Sequence, residues 1–204
     1  MVPERVLAAC SGTMNLLNIG GFDPRDGSYY NYIETYAGGK GAMHDRDGMD
    51  AVQNHMTNTR NAPVEAIEAA YPLRVRRYGL VADSEGAGRR RGGVGLLREI
   101  EILGTYTRLT LSSDRAAVPP WGAFGGQSAS GSSCTVIGKD GQRALPSKIT
   151  TFLEEGDRLI TVTPGGGGWG DPRERDAVRV RADVIDGFVT PDRARDVYGA
   201  VLDV

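Results

Sequence analysis

The residues of this chain best suited to chemistry sit together in one stretch, residues 38–61, which reads GGKGAMHDRDGMDAVQNHMTNTRN. It holds four glycines, three aspartates, both histidines of the chain and three asparagines. Such a mixture can ligate a metal, cradle a phosphate or hydrogen-bond an organic substrate. DRDGMD superficially resembles the start of a calcium loop. Its Gly48 stands fourth rather than sixth, however, and Met49 fills a ligand position, so the EF-hand geometry fails. His44 and His55 are eleven positions apart, not the i, i+4 pair of helical zinc sites, and no third ligand lies beside them. Asp45, Asp47 or Asp50 can join them only through the fold. HMTNTRN offers amides and an arginine that can bind carbonyl or carboxylate groups. The same asparagines equally suit capping the helix that follows and tying the loop to itself.

Two further stretches invite a phosphate reading. PGGGGWGDP has the glycines of a phosphate cradle but lacks the Gly-Lys-Ser/Thr ending of a P-loop. Gly86-Ala87-Gly88 is followed by Arg89, Arg90 and Arg91, and the third glycine, Gly92, comes one residue late for a dinucleotide fingerprint. An arginine run beside glycine amides can still hold an anion or face an interface. It reads as readily as solvated arginines in a glycine-kinked hairpin. SASGSSC carries serines and Cys134 without a G-x-S-x-G elbow or a neighbouring histidine. No catalytic residue and no metal ligand follows from local spacing alone.

These stretches need elements to position them. The spacing predicts a strand over 29–36 (YYNYIETY) and a short helix over 61–72, with Pro63 in its first turn, Glu65 and Glu68 near its positive end and Pro72 closing it. Alternation predicts strands over 73–83, 94–103 and 106–114, the last two joined at Gly104-Thr105. Residues 148–165 read as a strand pair around a Glu-Glu-Gly-Asp turn. Asp171, Pro172 and Glu174 supply the start signals of a helix running to Gly187, and Thr190-Pro191 opens a last short helix. The expectation is an α+β fold: a β-rich body with glycine-kinked strands over 1–170, one short early helix, and a helical tail over 171–204. No internal repeat or linker divides it, so 1–204 is expected to form a single domain.

The totals bound the function. The chain has 204 residues, 40% hydrophobic and 25% charged, and its 24 basic against 26 acidic residues give a net charge of -2. This balance gives no reason to expect nucleic acid or an anionic membrane as partner. No apolar run approaches the roughly 18 residues that span a bilayer. Cys10 and Cys134 stand far apart and outside any metal motif, which fits free thiols in a reducing cytoplasm. Glycine is the unusual total, at 29 residues, gathered in clusters that signal positive φ, bulges or close backbone approach.

Taken in order, GGKGAMHDRDGMDAVQNHMTNTRNAPVEAIEAAYPLRV, DSEGAGRRRGGVGLLREIEIL, PGGGGWGDP and VIDGFVTPDRARDVYG resemble the C-terminal part of the hydantoinase B/oxoprolinase family, over nearly the whole chain. The resemblance implies a share in ATP-dependent hydrolysis of a cyclic amide, hydantoin or 5-oxoproline. An A-type subunit would use ATP to phosphorylate the amide oxygen, and the B-type partner would carry a divalent metal and complete hydrolysis. The family's B-type subunits are more than twice this length, with their metal ligands expected in the N-terminal part. The chain is therefore expected to hold neither metal nor ATP itself, and to act with the N-terminal part of a B-type subunit and an A-type subunit. Gly38, Gly39 and Gly41 are then read as a glycine-shaped wall of the substrate cavity, and Asp47, His55, Asn58 and Arg60 as polar groups at or behind it. Arg89, Arg90 and Arg91 are assigned to the same cavity or to a subunit boundary. A segment of a ketone carboxylase subunit, a non-catalytic assembly module and a degenerate remnant are the alternatives.

Overall fold

Alternating burial sorts nine strands into two antiparallel sheets. The computed structural model describes residues 2, 5–57 and 59–200. Its strands are β1 (Asn15–Phe22), β2 (Tyr29–Tyr36), β3 (Leu73–Leu80), β4 (Leu96–Ile102), β5 (Thr105–Ser112), β6 (Ser133–Gly138), β7 (Gly141–Ala144), β8 (Lys148–Leu153) and β9 (Arg158–Val162). Three α-helices accompany them: α1 (Val64–Ala70), α2 (Ala177–Ile185) and α3 (Pro191–Asp196). One sheet runs β2-β1-β5-β8 and the other β3-β4-β9-β6-β7. In β2 every second side chain (Tyr30, Tyr32, Glu34 and Tyr36) is buried, as period-two patterning requires when one face meets a core. Leu17, Ile19, Ile100, Ile102, Leu109, Leu111, Val136 and Leu159 fill the space behind both sheets, with Ile67 of α1 closing one side.

The α+β expectation holds, with a β-rich body and the helices placed as anticipated. The pairing differs from the sequence reading. β4 and β5 are adjacent in the chain but belong to different sheets, and so do β8 and β9. The links at Gly104-Thr105 and at 154–157 cross between sheets instead of closing hairpins. Alternation says which face of a strand is apolar but not which neighbour it pairs with, because both sheets present apolar faces to one core. β1 and the β6-β7 hairpin carried too weak a pattern to be anticipated. β1 ends in Ile-Gly-Gly-Phe, and all of β7 is exposed.

The helical tail is also broken where one helix was expected. Asp171 caps a short 3-10 turn over Pro172–Glu174, Arg175 then takes an extended backbone (φ -69, ψ 132), and Asp176 caps α2 anew through Val178 N. The interruption frees Arg175 to turn its guanidinium inward, where it is 6% exposed.

A third layer lies beside the sheets and contains almost no regular structure. Residues 164–169 (Pro-Gly-Gly-Gly-Gly-Trp) run through its middle. Gly166 N donates to Gly93 O at 2.8 Å, Gly167 N to Ala9 O at 2.8 Å, Gly168 N to Gln127 O at 3.0 Å, and Gly86 N to Gly166 O at 2.8 Å. Segments 8–11, 38–42, 84–93 and 121–130 thus hydrogen-bond to one central chain by backbone alone. A methyl group on Gly166 would collide with the Lys40 carbonyl, and one on Gly39 with the Gly93 carbonyl. Neither glycine has positive φ. Their role is to let backbones touch.

Candidate functional site

The inner half of the 38–61 loop is part of this glycine layer. Gly38, Gly39 and Gly41 are buried, and their missing side chains make room for other parts of the chain: the Ser11 side chain and the Pro164 carbonyl at Gly38, the Gly93 and Gly166 backbone at Gly39, and the Ala8 backbone at Gly41. None of the three lines the groove at the outer half of the loop.

Two of the loop's three aspartates, Asp47 and Asp50, are held by arginines from distant parts of the chain. Arg91 donates from Nε to Asp183 at 2.8 Å and from Nη1 to Asp50 at 2.7 Å, while its guanidinium lies 4.5 Å from the Phe188 ring. Arg175 donates from Nη1 to Asp47 at 2.8 Å and from Nε to Asp183 at 2.9 Å. Asp47 also accepts from the Arg91 amide at 3.0 Å, and Asp50 from the Val94 amide at 2.8 Å. Burial alone would raise the Asp47 carboxyl pKa, but the hydrogen bond and charge of Arg175 outweigh it and hold it below the usual carboxylate range. Arg91, grouped in the sequence with Arg89 and Arg90 as an anion or interface residue, is instead turned inward, and its own pKa is raised despite burial by Asp50 and Asp183. Nearby, Glu85 is fully buried against Arg193 (2.7 Å) and Tyr198 (3.1 Å), and burial pushes its carboxyl upward.

The outer half of the loop borders an open groove of about 540 Å³. Buried Asn54 anchors it: the side-chain amide donates to the Gly12 and Thr13 carbonyls, and its oxygen accepts from the Met56 amide at 3.0 Å. His55, beside it, lines the groove with Cys10, Thr13, Asp114, Lys148 and Val118. Asp114 accepts from the Thr13 hydroxyl and amide, and this pairing, helped by Lys148 and Arg115, keeps its carboxyl low. An imidazole, a thiol, a carboxylate and an ammonium group around a partly apolar floor can hydrogen-bond both the N–H and the C=O of an amide. Of the anticipated site residues that the structure describes, it brings His55 alone to this groove. Asp47 serves the arginine network, Arg60 is exposed on the loop, and Asn58 lies outside the described residues. Sequence reasoning missed Asn54, Asp114, Arg175 and Asp183, and weighed Asp50 only as a metal ligand and Cys10 only as a free thiol. Asn54 and Asp50 stood in the quoted stretch. Nothing local marked Arg175, which is 128 positions from Asp47.

Among the described residues, no three His, Cys, Asp or Glu side chains converge as metal ligands, and no helix is long and apolar enough to cross a membrane. Cys10 and Cys134 are free thiols, and burial pushes Cys134 up to about 11.

The sequence profile of the hydantoinase B/oxoprolinase family matches residues 1–172. The B-type subunit of a putative D-/L-hydantoinase from Pseudomonas sp. (strain NS671) is 35% identical over 99% of this chain, which corresponds to 34% of that protein. The crystal structure of the ATP-dependent caprolactamase from Pseudomonas jessenii superposes with a TM-score of 0.82 at 29% identity, covering 99% of this chain and 36% of that one. Nucleotide-free acetone carboxylase superposes with a TM-score of 0.79 over 98% of this chain and 31% of its own, and at 22% identity it shows a shared fold alone. The chain spans about a third of the length of these proteins.

Proposed function

Because this chain belongs to the hydantoinase B/oxoprolinase family, we propose that it serves as the C-terminal segment of a B-type subunit in ATP-dependent hydrolysis of a cyclic amide, hydantoin or 5-oxoproline. The carrying observation is the likeness to the ATP-dependent caprolactamase over 99% of this chain at 29% identity. An unstrained amide has a poor electrophilic carbon and a poor leaving group. Phosphorylation of its oxygen by an A-type partner answers both difficulties. On the family resemblance, a metal that supplies hydroxide would be held by the remaining part of the B-type subunit. The contribution of this chain is shape and hydrogen bonding. The arginine-aspartate network fixes the inner loop, and Asn54 fixes the outer loop so that His55 and Asp114 face one groove. We assign the complex to the cytoplasm on the strength of its free thiols.

Native mass spectrometry on the tagged chain, purified from its own host, tests the assembly. Recovery with a metal-bearing B-type fragment and an ATP-using subunit is expected. In that complex, His55→Ala should cut ATP-dependent ring opening at least about tenfold with assembly intact. Recovery of the chain alone would overturn the reading. Full turnover of the His55→Ala complex would remove the groove from it. Carboxylation of a ketone in place of amide hydrolysis would move the chain to the runner-up activity.

A further inference from the structure

We propose that His44, Arg89, Phe124 and Trp169 form a binding site for a small oxyanion, the carboxylate or phosphate group of a soluble ligand. Trp169 ends the central glycine chain and is fixed from two sides. Its amide and carbonyl exchange hydrogen bonds with Arg90 at 2.9 and 3.0 Å, and it bridges to Ala123 on the other side. Around this anchored indole, the Arg89 guanidinium lies 5.1 Å from the ring centroid, Phe124 packs at 5.1 Å, and the His44 ring meets it edge-on at 6.4 Å.

The polar atoms of this cluster lack partners. His44 Nδ1, Arg89 Nε and Trp169 Nε1 are shielded from solvent and hydrogen-bond to nothing in the protein. A shielded donor without an acceptor is a cost that folding alone does not explain. The acidic side chain next to His44, Asp45, lies 3.4 Å from Arg46 and 3.8 Å from His44 Nδ1, and forms no ion pair with Arg89. Arg98 and Arg90 also carry shielded donors without partners, but Arg98, like Arg91, Arg175 and Arg193, meets a carboxylate. Among the described residues, only at Trp169 do three such donors from three residues gather around one ring. Arg115 also stacks on an indole, Trp121, at 4.7 Å, but that pair leaves no shielded donor unpaired. Stacking holds the Arg89 fork in one plane with its outer N–H groups free, the arrangement that binds an oxyanion through two parallel hydrogen bonds.

Phe124 completes the site. It is 46% exposed and holds φ 52, a left-handed conformation that costs an aromatic residue energy. Strain of this kind persists where the surroundings demand it, and here it lays the ring against Trp169. An oxyanion carried on a small organic body would place its charge on Arg89 and its apolar part against these two rings.

The test uses the full chain with Trp121→Phe, so that Trp169 alone fluoresces. Sodium glutarate and sodium phosphate are titrated separately, with chloride holding ionic strength constant. A saturable change with one or both is expected, and the one that saturates identifies the group. Arg89→Gln should weaken it by about tenfold or more, and Arg89→Lys, which keeps the charge but not the fork, by less. Circular dichroism checks that each variant is folded, and Arg89→Lys decides if Arg89→Gln is not. Linear drift with both anions, or equal midpoints in the parent and a folded Arg89 variant, overturns the site. A failure here leaves the assembly proposed above untouched, since that rests on the family and on the opposite half of the loop.

Discussion

Asp183 is one carboxylate shared by two buried guanidiniums, those of Arg91 and Arg175. Removing its charge leaves two cations competing for Asp47 and Asp50, so Asp183→Asn should cost about 3–5 kcal/mol of folding free energy, the range for breaking a buried pair by deleting one partner. Asp186, exposed three residues on, supplies the control, and Asp186→Asn should stay within about 0.5 kcal/mol. Urea denaturation of both variants checks the pair. Asp47 makes a prediction of its own because its folded-state pKa lies below the ordinary value. A depressed carboxyl stabilises the fold at pH above the unfolded value of about 3.9, and that contribution disappears as pH falls through the folded-state value. Stability should therefore drop on acidification below about pH 4, and Asp47→Asn should flatten that limb while lowering stability at neutral pH. Melting curves across pH decide it. At this scale the sequence was only partly legible. Asp47 could be singled out because it sat among other reactive types, but its role could not, because its partner Arg175 is 128 positions away. His55 was singled out and does reach a groove, whose other walls come from residues 10–13, 113–118 and 147–148.

Elements were more legible than their partners. Most strands showed themselves through alternation, and the early helix through Pro63, Glu65 and Pro72, though it occupies only Val64–Ala70. What alternation could not supply was the sheet to which each strand belongs, since the same apolar face serves either side of one core. The glycine layer was visible as composition but not as architecture. A glycine cluster looks alike whether it bends a hairpin, receives a phosphate or admits another backbone. The structure chooses the last for residues 165–168, and the choice can be tested. Gly166→Ala would drive a methyl group into the Lys40 carbonyl, and the nearest atoms are all backbone of Lys40 and Gly41. A loss of more than about 3 kcal/mol, or failure to fold, is expected, above the usual cost of overpacking because no flexible side chain can yield. Gly79, in β3, has open space around its missing side chain and no left-handed φ. Gly79→Ala should be neutral or slightly stabilising, within about 0.5 kcal/mol. Similar losses in both variants would mean that close backbone approach is not what Gly166 provides.

Across the whole molecule, the body and the tail form one electrostatic unit. The family profile ends at residue 172, yet the acids and bases of the matched region find their partners beyond it. Asp47 pairs with Arg175, Arg91 with Asp183, Glu85 with Arg193 and Tyr198, and Asp83 with Thr190. Ala87, in the glycine-arginine segment, packs in a second apolar cluster with Val180, Val189, Ala194 and Tyr198 of the tail. Cutting the chain after Pro172 would thus strip Glu85 of its cation, halve the partners of Arg91 and bare an apolar patch. Buried charges without partners are among the costliest defects a fold can carry. The truncated chain should lose its cooperative unfolding transition or melt at least about 10 °C lower, since a few kcal/mol move the midpoint of a domain this size by that much. A tail that merely decorates a self-sufficient sandwich predicts the opposite, an unchanged midpoint. Calorimetry on the two chains separates these cases. If the tail is integral, the inner half of the loop, which carries Asp47 and Asp50, keeps its place only while Arg175 and Asp183 are docked against it.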